Sequence, residues 1–252
     1  MGEDTNVYAK SVLRRGAALA AVVAFGVAST AVAADYNSVT DERLRNPEPH
    51  NWLSWRGNDE GWGYSPLDQI TTGNVANLVP VWTYSTGVNE GHQAPPIVND
   101  GMMFVSTPQN QVIALDAKTG KEIWRYVRAL PEGLFQLHPT NRGVALYEDM
   151  VYMATVDACL VGLDAKTGEQ AWENCIGDWK NGEYSTLAPL VAKGKVLSGV
   201  SGGEYGIRGF ITAWMPRPAR PRGRPSRCRV RARRAMTPGR AIPGRRAAPR
   251  SG

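Results

Sequence analysis

Histidine and cysteine are scarce in this chain, which limits the chemistry it can carry. The 252 residues include three histidines and three cysteines. No Cys-x-x-Cys pair and no zinc-binding spacing of Cys and His occurs among them. A lone imidazole is more often a structural hydrogen bonder than a catalyst. The sequence therefore argues against a zinc site.

Acidic residues and lysine are missing from one long stretch. Residues 215–252 contain 13 arginines but no Asp, Glu or Lys. These arginines outnumber the net charge of +6, so residues 1–214 are acidic overall. A basic domain would favour nucleic-acid binding, whereas a basic tail on an acidic body needs a separate explanation. We expect residues 215–252 to be disordered, because they contain too few apolar side chains to bury.

One long apolar run lies near the N-terminus. Residues 16–33 (GAALAAVVAFGVASTAVA) follow several basic residues and end in Ala31-Val32-Ala33, the small-x-small pattern of a signal-peptidase site. The run is near the lower length limit for a membrane span, so an uncleaved anchor is the alternative. We predict that residues 1–34 are a cleaved signal peptide, that the protein is periplasmic, and that the mature chain has no membrane span.

Two cysteines remain in the body of the chain. Cys159 and Cys175 are sixteen residues apart. Export would place them in an oxidising compartment, where they could pair across neighbouring strands. The sequence leaves this disulfide and a pair of buried thiols as open alternatives.

After the N-terminal region, the pattern is that of an all-β chain. Residues 35–65 indicate a loop, and no amphipathic helix is predicted after the signal. Short β-rich segments separated by Gly, Asn, Asp and Pro begin beyond residue 66. The predicted strands are 79–86, 101–107, 111–116, 122–127, 144–156, 160–165, 195–201 and 209–214.

An internal repeat organises these strands. QVIALDAKTGKEIWRY (111–126) matches CLVGLDAKTGEQAWEN (159–174), at a spacing of 48 residues. Each unit contains a strand, an Asp-Ala-Lys-Thr-Gly turn and a second strand bearing a Trp. A period near fifty residues with several strands per unit is typical of a β-propeller. We predict about three blades, fewer than the roughly four to eight of a closed propeller.

Several motifs carry a family resemblance. Residues 92–120, 138–147 and 201–213 resemble the PQQ-dependent quinoprotein alcohol dehydrogenases, the methanol/ethanol dehydrogenase family. The resemblance extends from about residue 50 to Trp214. It implies part of an eight-bladed propeller in a periplasmic enzyme that oxidises primary alcohols to aldehydes. It further implies PQQ and a Ca²⁺ or lanthanide ion as cofactors, and a c-type cytochrome as electron acceptor.

The resemblance also implies roles for particular residues. Arg142 would contact PQQ oxygens, Thr186 would donate its hydroxyl to a PQQ carboxylate, and Glu204 would be a metal ligand. Cofactor-binding backbone and side chains would precede that glutamate at Ser201, Gly202 and Gly203. From the residue types alone, a surface ion pair, a packed Thr and a solvated turn Glu are the commoner interpretations.

The sequence departs from the family pattern in three places. Gln93 stands where the family has Glu, so one charge beside the cofactor is lost while its hydrogen-bonding capacity remains. The family's adjacent-cysteine disulfide corresponds to Gln136-Leu137 here, leaving Leu137 or His138 at most to line the ring. The family's catalytic aspartate, metal-ligand asparagine and stacking Trp follow the third repeat, where this sequence has no matching segment. We assign no catalytic residue.

The composition changes abruptly after Trp214, inside the third repeat. Shifted by one base, the codons from Met215 onward permit Asp-Ala-x-Thr-Gly-Lys-x-x-Trp, the turn found at 116–124. We therefore predict that residues 215–252 are a frameshift product and that no nucleic acid is bound. Two alternatives are a basic-tailed binder of anionic surfaces and a non-catalytic propeller scaffold of the outer-membrane assembly type.

Overall fold

The computed structural model describes residues 36–137 and 139–216, and they form an all-β structure. The predicted signal peptide, His138 and the tail beyond Pro216 lie outside this part of the chain. The first sheet contains β1 (Ile97–Asn99), β2 (Met102–Thr107), β3 (Gln111–Asp116) and β4 (Glu122–Val127). The second contains β5 (Ala145–Tyr147), β6 (Met150–Ala154), β7 (Cys159–Asp164) and β8 (Gln170–Cys175). The third contains β9 (Leu190–Ala192), β10 (Lys195–Val200) and β11 (Phe210–Trp214).

The three sheets have one topology. In each, consecutive strands are antiparallel neighbours, in the order β1-β2-β3-β4, β5-β6-β7-β8 and β9-β10-β11. Four-stranded meanders repeated along the chain are the blades of a propeller. The predicted partial propeller of about three blades is confirmed, with the third blade represented by three strands.

Tight turns set the start of each sheet. The hairpins β1–β2 and β9–β10 each turn at two residues with positive φ, Asp100-Gly101 (47° and 81°) and Lys193-Gly194 (50° and 66°). Such turns match the twist of antiparallel strands. The equivalent turn of the second sheet, with Glu148 at φ 51°, divides the segment predicted as one strand over 144–156. That prediction is wrong because the segment spans a whole hairpin, with the polar pair Glu148-Asp149 at its turn.

Tryptophans fix the segment before the first sheet, and the first sheet itself, to the sheet that follows. The indole of Trp124 in β4 donates to the carbonyl of Ala165, at 3.0 Å, in the turn after β7. Its ring lies against Gly168, where an added Cβ would come within 2.6 Å of the ring. Trp82 makes the same contacts one blade earlier, donating to Ala117 at 3.1 Å and covering Gly120. Each Asp-Ala-Lys-Thr-Gly turn thus binds the tryptophan of the strand or segment one blade earlier.

The segment containing Trp82 is not a strand, so the prediction for 79–86 is wrong. Its side chains nevertheless occupy strand-like positions: Tyr84 donates to Glu122 as Tyr126 donates to Gln170, the latter at 2.7 Å. The segment corresponds to β4 and β8, the outermost strands of their sheets. A strand needs a hydrogen-bonded neighbour, and no other part of 36–137 or 139–216 pairs with this one.

The predicted loop over 35–65 contains a short helix, α1 (Asp41–Arg45). Its first turn is capped by Thr40, whose hydroxyl accepts from the amide of Arg43 at 3.3 Å. Arg43 then binds Glu48 at 2.8 Å and lowers the pKa of that carboxyl to about 2.

No helix in the described ranges has the length and apolar character required to cross a membrane.

The two body cysteines form a disulfide. Cys159 and Cys175 lie directly opposite each other at one end of the β7–β8 pair. Of the two alternatives left open by the sequence, the structure has the cross-strand disulfide. It fastens the outermost strand of the second sheet at the end away from the Asp164–Gly168 turn.

We predict that Gly168→Ala destabilises the protein because its Cβ would strike the Trp124 ring. Left-handed backbone alone costs an alanine about 1–2 kcal/mol, and forced repacking adds about 1–3 kcal/mol. The matched control is Gly101→Ala, since Gly101 has a similar φ but no atom within 4 Å of its added Cβ. Urea unfolding should show the larger loss for Gly168→Ala, and equal losses would contradict the docking contact.

Candidate functional site

A buried asparagine holds the first candidate side chain in place. Asn141 is fully buried and accepts from Ser106 in β2 at 2.7 Å. Its amide donates to the carbonyl of Ala154 in β6 at 2.9 Å, and its oxygen accepts from the amide of Gly143 at 3.0 Å. This network joins the first two sheets and fixes the backbone around Arg142. Asn141 lies within the family motif at 138–147, but the sequence alone assigned it no role.

The structure brings Arg142 and Thr186 together. The guanidinium of Arg142 donates to the Thr186 hydroxyl at 2.5 Å, and its backbone amide donates to the Thr186 carbonyl at 3.1 Å. Arg142 is largely exposed, whereas Thr186 is buried. A cation and a hydroxyl 44 residues apart in sequence therefore face the same space. Such a pair suits a carboxylate or quinone oxygen.

A backbone bridge brings the loop of residues 201–204 to the segment that contains Thr186. Ser201 donates its amide to the carbonyl of Tyr184 at 2.7 Å, two residues before Thr186. Gly202 then passes so close to Gly182 that an added Cβ would come within 2.1 Å of the Gly182 carbonyl oxygen. Its φ of 127° further favours glycine. Gly203, by contrast, is exposed and has open space around it.

Glu204 faces solvent at the rim of this loop. Its carboxylate accepts from the Tyr184 hydroxyl at 3.3 Å. Burial and the charge of Glu204 raise the pKa of Tyr184, while Arg142 acts in the opposite direction. Tyr184 is thus the electrostatic link between the two candidate charges, a role that sequence reasoning missed because a single Tyr carries no motif.

Gln93 does not lie with the other candidate site residues. Its side chain is exposed and forms no hydrogen bond with the other described residues. Pro95, two residues later, does lie 3.9 Å from the point where a Cβ on Gly143 would be. The segment therefore reaches the site while Gln93 itself faces solvent. Leu137, expected at most to line the ring, is 41% exposed.

An aromatic cavity of about 420 Å³ adjoins Glu204. Tyr205 contacts both Tyr184 and Phe135 edge-on, with ring centroids 6.0 and 6.5 Å apart. The cavity is lined by Gly133, Leu134, Phe135, Trp179, Lys180, Asn181, Gly182, Tyr184 and Tyr205. This lining is rich in aromatic rings, with Lys180, Asn181 and the tyrosine hydroxyls as polar groups, and it suits a small organic ligand.

Two buried side-chain oxygens in the segment that precedes Arg142 have no hydrogen-bond partner among the described residues. They are the hydroxyl of Thr140 and the side-chain carbonyl of Gln136. Native proteins satisfy most such atoms, so these two indicate a place where a polar ligand fits. No cluster of three His, Cys, Asp or Glu side chains suitable for a metal occurs within 36–137 and 139–216. Glu204 is the one carboxylate in this candidate site.

The fold and the site together define a class of protein. It is a β-propeller in which tryptophans join one blade to the next, and it brings a cation, a hydroxyl and a carboxylate to one site. The family model described as "PQQ: Glucose/ethanol/alcohol dehydrogenase, beta-propeller domain" matches residues 52–178, half of the chain. The chain belongs to this family of PQQ-dependent alcohol dehydrogenases.

Individual relatives agree with this assignment. Quinoprotein alcohol dehydrogenase PedH of Pseudomonas putida is 38% identical over 79% of this chain and 33% of its own length. A 1-butanol dehydrogenase (cytochrome c) of Thauera butanivorans is 41% identical over 66% of this chain and 24% of its own. A europium-containing methanol dehydrogenase superposes with a TM-score of 0.65 at 37% identity, covering 70% of this chain and 32% of the other. The chain thus spans a third or less of these relatives.

We predict that Gly202→Ala opens the 201–204 loop. The added methyl cannot coexist with the Gly182 carbonyl, so the Ser201–Tyr184 bridge must break. At about 3 kcal/mol for such overpacking, amide exchange at Ser201 should accelerate roughly a hundredfold.

The neighbouring variant Gly203→Ala is the control, because nothing lies within 4 Å of its added Cβ. Hydrogen exchange followed by mass spectrometry compares the two. Unchanged protection at Ser201 in Gly202→Ala, or equal loss in both variants, would show that close packing at Gly202 does not hold the loop.

Proposed function

We propose that residues 35–214 are the N-terminal part of a periplasmic PQQ- and metal-dependent alcohol dehydrogenase, preceded by a cleaved signal peptide at 1–34. The whole enzyme oxidises primary alcohols to aldehydes and passes the electrons to a c-type cytochrome. The observation that carries this proposal is the pairing of Arg142 with Thr186 beside the loop of Ser201, Gly202, Gly203 and Glu204. The family resemblance selects the same residues.

The residues present fit PQQ, a planar quinone with three carboxylates. Arg142 supplies a permanent positive charge with several N–H donors, of which one is taken by Thr186. The Thr186 hydroxyl, which contacts Arg142, and the Thr140 hydroxyl, which has no partner among the described residues, add uncharged donors. When bound, PQQ supplies the two-electron oxidising power of the reaction. The protein contributes binding, orientation and charge, and we propose no binding role for Gln93 beyond a hydrogen bond.

Glu204 is proposed as one ligand of a Ca²⁺ or lanthanide ion. Both are hard ions that prefer oxygen ligands, and Ca²⁺ takes about 6–8 of them. Glu204 supplies one carboxylate, so other groups must complete the site. Its exposed position and its contact with Tyr184 leave the second carboxylate oxygen accessible. The europium content of the methanol dehydrogenase relative supports including lanthanides.

Substrate, acceptor and location rest on the relatives. One is named for 1-butanol and cytochrome c, which supports a primary alcohol substrate and a c-type cytochrome acceptor. The aromatic cavity beside Glu204 offers an apolar surface to an alkyl chain. The predicted signal peptide and the disulfide both suit a periplasmic location.

Binding of PQQ to the 252-residue chain tests the proposal. PQQ should quench tryptophan fluorescence saturably, and Arg142→Ala should weaken the binding about 10–100-fold, the effect of losing one charge-assisted hydrogen bond. Thr186→Val should weaken it less, and Thr186→Ser should restore it because the hydroxyl is kept.

The matched control is Arg45→Ala, which removes an exposed arginine paired with Glu42 on α1, away from the site. If Arg45→Ala and Arg142→Ala weakened PQQ binding equally, the binding would reflect only a general attraction between an anion and positive charge. Binding unaffected by Arg142→Ala would remove the assignment of that residue.

We further predict that the chain of 252 residues does not oxidise alcohols. The family's catalytic aspartate has no counterpart among the residues that resemble the family here, and we therefore expect no transfer of the alcohol proton. Ethanol, PQQ, Ca²⁺ and an electron-accepting dye should give no reaction above the rate without protein. Turnover that depends on the protein and on ethanol would refute this prediction.

A further inference from the structure

Asn110 is a buried polar residue that the cofactor assignments do not use. It ends the turn between β2 and β3, and its side chain is almost completely buried. Its φ is 58°, and that of Gln109 before it is 64°. Asparagine tolerates such left-handed backbone better than most residues do. The backbone gives one reason for asparagine at this position, and the bonds of its side chain give another.

The side-chain oxygen of Asn110 joins the first sheet to the second. It accepts from the backbone amide of Val156, in the turn between β6 and β7, at 3.2 Å. It also accepts from the side-chain amide of Asn141 at 3.5 Å. An amide oxygen has two lone pairs, so these two bonds use its whole accepting capacity.

Asn141 in turn uses every hydrogen-bonding position of its side chain. Its nitrogen donates to the carbonyl of Ala154 and to Asn110. Its oxygen accepts from the Ser106 hydroxyl and from the backbone amide of Gly143. Because both N–H groups and both lone pairs are occupied, the amide has one favoured orientation. Loss of the Asn110 oxygen would deprive one buried N–H of its acceptor, which is costly inside a protein.

A buried ion pair holds the same two turns together. Arg128 directly follows β4, and its backbone amide donates to the Asn110 carbonyl at 3.1 Å. Its guanidinium binds the two carboxylate oxygens of Asp157, beside Val156, at 2.9 and 2.6 Å. Removing one partner of a buried pair leaves an uncompensated charge, so a change at Arg128 or Asp157 would affect folding as a whole. Asn110 is the neutral member of this contact and the better position for a test.

We propose that Asn110 is a positioning residue for Arg142. Its side chain fixes the orientation of Asn141, and the Asn141 oxygen holds the amide of Gly143 on the far side of Arg142. The backbone of Arg142 is thereby set for its bond to Thr186. The inference rests on the proposed function in one respect: Arg142 binds PQQ, and Asn110 determines how Arg142 is presented to it.

The substitution Asn110→Gly separates the two reasons for asparagine. Glycine adopts a positive φ readily, so the turn keeps its backbone while the side-chain bonds are lost. Gln109→Gly is the matched control, because Gln109 has a similar φ in the same turn but an exposed side chain. If asparagine served the backbone alone, the two variants would behave alike.

Hydrogen exchange in the absence of PQQ, resolved to single amides by NMR, is the first readout. The Gly143 amide should exchange about tenfold faster in Asn110→Gly, the effect of losing roughly one hydrogen bond, and at an unchanged rate in Gln109→Gly. The Ala117 amide, bonded to Gly101 at the other end of the first sheet, reports any general loss of stability. Equal acceleration at Gly143 and Ala117, or no difference between the two variants, would overturn the proposal.

PQQ binding in a double-mutant cycle is the second readout. Asn110→Gly should weaken binding about three- to tenfold in the unaltered chain and have little effect when Arg142→Ala is also present. Equal weakening in both backgrounds would show that Asn110 does not act through Arg142 and would overturn the positioning role. Failure of the unaltered chain to bind PQQ would contradict the proposed function, whereas the exchange comparison requires no cofactor and still decides the role of Asn110.

Discussion

The contact of one tryptophan with the next turn is the interaction on which this structure depends. An indole N–H donates to the alanine carbonyl, and the ring covers the glycine that directly follows the threonine of the turn. The contact needs three things together: glycine for space and φ, aspartate to cap the turn, and tryptophan for reach. Every residue of β6 is buried, so both faces of the second sheet pack against neighbours, and this contact helps set how the first sheet packs on it.

The geometry of the candidate site depends on how the sheets pack against each other. Asn141 spans from β2 in the first sheet to β6 in the second, and Arg142 then reaches Thr186 ahead of the third. The bridge between Tyr184 and Ser201 continues the chain of contacts into the loop of Glu204. None of these bonds lies within one sheet. A change in the angle between sheets would therefore separate the cation, hydroxyl and carboxylate, even with every strand intact.

The parts that the sequence predicted are those with local causes. The bounds of β3 and β4 follow directly from apolar patterning around a turn whose Asp and Gly have defined roles. The segment 79–86 has the same pattern without a paired neighbour, and pairing is a property of the whole fold rather than of the segment. Asn141 and Tyr184 were missed for a related reason: their partners lie 35 and 20 residues away, and no spacing in the sequence encodes those bonds.

The loop that carries Glu204 depends on the least supported sheet. It lies between β10 and β11, in the sheet that has three strands among the described residues where the other two have four. Two contacts remain to hold the loop: the Ser201–Tyr184 bridge and the close approach of Gly202 to Gly182. Both attach it to the segment before β9, not to β11. Glu204 is thus held at Tyr184, two residues before Thr186, by contacts that do not involve β11.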